Sequence, residues 1–244
     1  QIMNLISGIC KKAIQLNPAS TSIYIMERAY EKAMLCDYDS AMKSYREAGR
    51  TDETNIAALY GTIYSHIMLG ELSNAEQQLD FLVAISESIE PSAHLPFLKA
   101  LLAWRHLGDA DKHANLLEQA EILHFKSMAS YKASDTYEKF FLLNPDFLIQ
   151  LAKEYILHLQ FAVKLMHAGK ARAVGQSRAV RRGMDILEHV SREAPGLVEP
   201  YLILAHTQFT LGEFEAATRV VNIALNFDTR SASVHLLAAP LALA

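Results

Sequence analysis

The residues of this 244-residue chain best suited to chemistry are ten histidines and two cysteines. A zinc-hydrolase site needs two histidines four residues apart with a glutamate between them, and no such HExxH segment occurs. Cys10 and Cys36 lie 26 residues apart, which is neither a metal nor a redox spacing, and they read as thiols of a reducing compartment. Gly169-Lys170 lacks the upstream glycine and the preceding strand of a phosphate loop. No GxSxG is present, and no serine or cysteine has a recognisable base partner. The residues therefore predict no catalytic, cofactor-binding or metal-binding site, and the chain reads as a non-enzyme. What remains is binding chemistry. Lys164, Lys170, Arg172, Arg178, Arg181 and Arg182 form a basic run whose nearest acids are Glu154 and Asp185. It is either a contact for an acidic protein partner, such as a neighbouring subunit or tubulin, or a solvated loop in an acidic chain, the commoner outcome. Phe140, Phe141, Phe147, Tyr155 and Phe161 are either a partner groove or the packing of an insertion. The net charge of −4 argues against nucleic acid, which needs a concentrated basic surface.

These residues must be positioned by helices. Hydrophobic residues make up 51% of the chain, with only 10 glycines and 7 prolines to make turns. Five positions recur, the later four at offsets of two, five, nine and twelve from the first. They read Cys36, Tyr38, Ala41, Tyr45, Ala48, then Gly70, Leu72, Ala75, Leu79, Leu82. Two further sets are Gly108, Ala110, His113, Leu117, Ala120 and Gly212, Phe214, Ala217, Val221, Ala224. A leucine precedes each first member: Leu35, Leu69, Leu107 and Leu211. Weaker copies start at Gln1 and Arg178 and end on Pro18 and Pro195. The intervals between first members from Cys36 onward are 34, 38, 70 and 34 residues. A period of about 34 residues is that of the tetratricopeptide repeat, a helix–turn–helix unit.

Each position has a physical job. The glycine ends the first helix in a left-handed conformation. The small residue five positions on lets the two helices approach, and the larger residues nine and twelve on fill the space against the next pair. The expected fold is all-α: a solenoid of tetratricopeptide-repeat helix pairs in a right-handed superhelix. Repeats are expected at 1–20, 22–55, 56–92, 94–125, 146–195 and 198–229, with a further start at 232–244. Insertions are expected at 126–145 and 167–177. Asn144 caps a helix running 146–166, with Pro145 in its first turn, and its partner helix runs 178–194. The chain opens inside a helix without an initiator methionine and reads as a fragment of a longer array. No apolar run reaches the length of a membrane span.

In this frame His113 occupies a small-residue site and is expected to be packed and partly exposed. His66, His106 and His206 fall on first helices with a surface or groove role, and Trp104 reads as core. Residues one turn apart on first helices are expected to face a protein partner: Met26, Tyr30, Tyr60, Tyr64, Leu98, Leu102, Leu202 and His206. A co-chaperone-type peptide clamp would need Lys, Arg and Asn at these positions, which are apolar and aromatic instead. A module attached to a catalytic domain elsewhere is the other alternative.

Several blocks resemble the tetratricopeptide repeat protein 21 family. They are Ala75-Glu-Gln-Gln-Leu-Asp-Phe-Leu82, Tyr137-Glu-Lys with Leu143-Asn-Pro-Asp-Phe-Leu148, Glu154-Tyr155, and Ala194-Pro-Gly-Leu197 with Gly212-Glu-Phe-Glu-Ala-Ala217. The resemblance runs from about Ile56 to Leu237, and the Asn-Pro-Asp-Phe-Leu block is its specific part. It implies a scaffold subunit of the intraflagellar transport A complex, acting in retrograde ciliary transport and entry of ciliary membrane cargo. The implied partners are other subunits of that complex, neighbouring train subunits and cargo adaptors. The implied location is the cilium or flagellum, at axoneme and basal body, and the cytoplasm. The chain departs from the family at Pro240, after which 239–244 are not expected to pack, and in the unusually basic loop 168–177.

Overall fold

The computed structural model describes residues 2–17, 21–86, 90–132, 134–167 and 178–241. Among these residues there are thirteen α-helices, one π-helical turn and no strand. The chain divides into two compact units, Gln1–Leu123 and His124–Ala244.

The first unit holds α1 (Ile2–Leu16), α2 (Thr21–Met34), α3 (Tyr38–Thr51), α4 (Ile56–Met68), α5 (Leu72–Ser86) and α6 (His94–Leu102), which continues through the π turn Ala103–Leu107. It also takes most of α7 (Ala110–Ser130). Helices α2 and α3 pack as a pair, as do α4 and α5, and α3 then packs on α4. This is the stacking of helix pairs that the spacing predicts. The small positions sit where two helices meet, and Ala41 and Ala75 are fully buried. Tyr45, Leu79 and Leu82 fill the space beside them, each no more than 6% exposed.

The first helices end where expected. Gly70, Gly108 and Gly212 take φ of 77°, 63° and 79°, and Cys36 takes 60° without being glycine. Three of the four ends share one pattern. Around Gly70, the Glu71 N–H donates to the His66 carbonyl and the Gly70 N–H to that of Ile67. The same pair of bonds recurs at Cys36 (Asp37 to Lys32, Cys36 to Ala33) and at Gly212 (Glu213 to Gln208, Gly212 to Phe209). This is the Schellman closure, which satisfies the last carbonyls of a helix. At Gly108 both bonds reach one residue further back: Gly108 to Trp104 and Asp109 to Ala103. That slip is the π turn. Opposite it stands His113, which is fully buried rather than partly exposed, its ring stacked on Trp104 at 5.3 Å. An imidazole takes the place of the methyl found at Ala41, Ala75 and Ala217, and the first helix widens opposite it.

The second unit holds the end of α7, α8 (Thr136–Leu143), α9 (Pro145–His167), α10 (Arg178–Glu193), α11 (Val198–Thr210), α12 (Phe214–Phe227) and α13 (Ala232–Leu241). Helices α9 and α10 form one pair and α11 and α12 another. Gly183 sets the closeness of the first pair. A Cβ there would lie 3.0 Å from the Tyr155 Cβ and 3.1 Å from the Ala152 carbonyl oxygen. Asn144 caps α9 as expected, its side-chain oxygen accepting from the Phe147 N–H at 3.3 Å. The same residue ends α8 with φ of 43°. Two expectations are corrected, the start of the insertion and the packing after Pro240. The stretch after His124 is not all insertion, because α7 continues to Ser130. Within 126–145 lies the helix α8. Asp135 caps it by accepting from the Glu138 N–H at 2.8 Å, and Glu138 accepts from the Ser134 N–H and hydroxyl. Pro240 does not end the packing, since α13 runs to Leu241, which is 9% exposed in the cluster around Tyr201, Ala205 and Val234. The expected loop 168–177 lies outside the described residues.

Candidate protein-binding face

The first helices of the second unit form a hollow of about 380 Å³. Lys153, Ile156 and Leu157 line it from α9, and Leu202, Ile203, His206 and Thr207 from α11. The spacing explains the grouping, because residues three and four apart share a helix face. The only hydroxyl there is internally engaged, Thr207 Oγ1 donating to the Ile203 carbonyl at 2.7 Å. It leaves a largely aliphatic floor. Lys153 Nζ meets Glu199 Oε1 at 2.6 Å, both side chains about half exposed. A pair so exposed contributes at most about 1 kcal/mol, so it orients the lysine more than it holds the helices together. The helices are held from behind by Tyr201, whose hydroxyl donates to the Ser191 carbonyl of α10 at 3.1 Å.

Of the eight residues expected on the partner face, Leu202 and His206 line this hollow. In the first unit Tyr30 is 38% exposed, and Met26 packs partly into the core beside Ile25 and Ala29. Tyr60 stacks on His94 at 5.3 Å, and Tyr64 meets Tyr38 edge-on at 6.1 Å. Leu98 is core at 2% exposure, and Leu102, at 8%, only borders a hollow. The reason lies in α6, which buries Pro96, Phe97, Leu98, Ala100, Leu101 and Leu102 and so is covered on most of its sides. Of the basic run, Lys170 and Arg172 lie outside the described residues. Arg181 is engaged within the chain, its Nη2 meeting Glu213 Oε1 at 2.6 Å. Arg178 and Arg182 also interact within the structure. Phe147 and Tyr155 are buried, whereas Phe140 and Phe141 are exposed on α8.

The histidines divide by environment. His106 and His206 are exposed. His66 is not the surface residue expected; it is 1% exposed at the centre of a polar cluster. Its Nε2 lies 2.8 Å from Arg46 Nη2 and 3.3 Å from Gln78 Nε2, and its Nδ1 lies 2.6 Å from Glu71 Oε2. A guanidinium only donates, so Nε2 accepts and the proton sits on Nδ1, facing the carboxylate. Asn74 and His66 donate to Glu71 and hold its carboxyl below the usual range. Both ring nitrogens are engaged, so His66 ties α3, α4 and the start of α5 together rather than facing a cleft. His124 is buried in the second unit. Its Nε2–H donates to the Leu143 carbonyl at 3.1 Å, and its ring lies against Phe125 and Phe147. Burial pushes its pKa down, more than the bond to Leu143 raises it. Among the described residues no helix is long and apolar enough to cross a membrane.

A family model described as the second ARM domain of tetratricopeptide repeat protein 21 matches residues 1–244. Human tetratricopeptide repeat protein 21B is 31% identical over 240 residues, covering 98% of this chain and 17% of the relative. Mouse tetratricopeptide repeat protein 21A is 32% identical over 245 residues, covering all of this chain and 18% of the relative. The chain thus spans under a fifth of the curated relatives it matches. Among solved structures, yeast Tom70 superposes with a TM-score of 0.58 at 15% identity, over 97% of this chain and 43% of that one. The Cut9–Hcn1 heterotetramer of the APC/C gives 0.58 at 14% identity, over 98% and 39%. At such identities these two likenesses speak for the helical-repeat fold alone.

Proposed function

The chain belongs to the tetratricopeptide repeat protein 21 family, and from that premise we propose that it is a non-catalytic scaffold segment of an intraflagellar transport A subunit. In this reading it works in the cilium or flagellum and the cytoplasm, supports retrograde transport and admits membrane cargo by binding other subunits of the complex, neighbouring train subunits and cargo adaptors. A stack of helix pairs suits such a role, since each pair touches only its neighbours and the array presents long surfaces for its mass. The observation that carries the reading is the aliphatic hollow between α9 and α11, whose lining from Ile156 to His206 offers shape and apolar area.

The test is the double variant Leu157→Asp with His206→Glu in the full-length protein. Both residues line the hollow and neither is fully buried, so the fold survives the change. We expect recovery of at least one transport A subunit to fall about tenfold, the loss typical of one good apolar anchor. We also expect the protein's ciliary signal to fall. Unchanged recovery of every subunit together with unchanged ciliary signal would overturn the proposal.

A further inference from the structure

A second hollow, of about 410 Å³, lies within the first unit, where α5 meets the π turn and the start of α7. Its floor is aliphatic: Leu79 and Val83 from α5, Leu102 from α6, and Leu116 from α7. Its charges are sorted by helix. Glu76 and Asp80, four apart on α5, supply the acids. Lys99 and His106 on the α6 side and Lys112 on α7 supply the bases. The two sides approach at one point, with His106 Nδ1 3.9 Å from Glu76 Oε2. The side chains of Asp80, Lys99 and Lys112 have no polar partner among the described residues. The basic side is carried partly by the π turn, a rare form that often accompanies functional sites.

We propose that this hollow receives an amphipathic α-helix of a partner polypeptide, with an apolar stripe flanked by basic residues on one side and acidic residues on the other. The charge pattern argues for the flanks. A purely acidic segment would meet Glu76 and Asp80, and a purely basic one would meet Lys99 and Lys112. Only a segment carrying both signs, one on each flank, matches the two sides at once. The walls argue for a helix. They are helices whose backbone groups are already bonded, so an extended peptide would lay unpaired amides on an aliphatic floor. A helix satisfies its own backbone and presents side chains at i, i+3, i+4 and i+7. The inference does not depend on which assembly the protein belongs to, nor on the α9/α11 hollow.

The test uses the full-length protein in the native assembly with which it purifies, treated with a short amine-reactive crosslinker. Lys99 and Lys112 should both link to one partner segment that has an apolar helical stripe with opposite charges on its two flanks. The variant Glu76→Lys with Asp80→Lys should reduce that link at least tenfold. The milder Glu76→Ala with Asp80→Ala should reduce it less while leaving the far-ultraviolet spectrum unchanged. The inference is overturned if both lysines react equally in the assembly and in the free subunit. It is also overturned if they link to a segment with no such stripe or to a second copy of this chain. Retention of the wild-type link by both acid-side variants overturns it as well.

Discussion

The ends of α4 and α6 carry the same Leu-Gly signal and close differently. At Leu69-Gly70 the two bonds are those of a Schellman closure, and the residue opposite is Ala75, fully buried. At Leu107-Gly108 both bonds slip by one residue, and the residue opposite is His113, equally buried but far larger. The left-handed glycine is present in both, so glycine sets where the first helix stops but not how tightly. The small-residue position on the second helix sets the tightness, because that is where the two backbones come closest.

Exchanging the two residues is the strongest way to break this comparison. Ala75→His forces an imidazole into a closed helix contact with no π turn to receive it. Overpacking costs about 1–3 kcal/mol, and an unpaired buried imidazole nitrogen adds about 1–3 kcal/mol. We expect a loss of roughly 3 kcal/mol in chemical denaturation; a loss below about 1 kcal/mol would show that the site tolerates bulk and that the rule is wrong. The reciprocal His113→Ala loses the stack on Trp104 and opens a void. We expect it to cost about 2 kcal/mol. Its structure should show the Asp109 N–H returning to the Trp104 carbonyl. A π turn that persists without the imidazole would sever the link between His113 and the slipped bonds.

Acid sharpens the contrast between the two units by a smaller amount. In the first unit the polar cluster depends on Glu71, whose carboxyl is held below its usual range by Asn74 and His66. A lowered acid stabilises the fold above the unfolded carboxyl's ordinary value of 4.5, and that contribution fades as pH falls below it. In the second unit His124 is held below the ordinary histidine value of 6.5, mainly by burial. There the unfolded chain binds the proton first, so the fold loses stability as pH falls below 6.5. Hydrogen exchange between pH 7.5 and 5.5, corrected for its intrinsic pH dependence, should therefore show α8 and the start of α9 losing protection. His124→Gln should abolish that loss, and a loss that persists in this variant would contradict the assignment.

How much of this was legible in the sequence depends on whether a single residue type carries the signal. The stops at Cys36, Gly70, Gly108 and Gly212 could be read because a left-handed residue sits at a fixed offset from a small one. The cap at Asn144-Pro145 could be read for the same local reason. The end of α7 could not, because beyond His124 only Phe125 and Met128 are half-buried apolar side chains, too few to mark a helical period. Helix α8 had a readable start in Ser134-Asp135 and Glu138, but that start sits inside a polar stretch resembling a loop. The π turn has no residue code; the one clue was His113 in a small-residue position. The partner-face list failed at Leu98 because one-helix geometry does not say whether a helix is covered on every side. The cluster around His66 joins residues from three helices, and neither it nor the charge-sorted hollow beside α5 has a local pattern.

The smallest effect tests the glycine half of the comparison. Cys36 adopts φ of 60° where the other three ends use glycine. A side chain in this region brings Cβ close to the following carbonyl and costs about 1–2 kcal/mol, which glycine avoids at the expense of greater freedom in the unfolded chain. The thiol offers little in return. The Tyr38 hydroxyl donates to its Sγ at 3.7 Å, a long and exposed contact. Cys36→Gly should therefore stabilise the first unit by about 0.5 kcal/mol under reducing conditions. Cys36→Ala keeps the strain and should leave stability near that of the natural chain. Equal behaviour of the two variants would mean that the left-handed turn at Cys36 carries no strain. Close packing could not replace that account at the other three ends, where a Cβ would meet nothing within 4 Å.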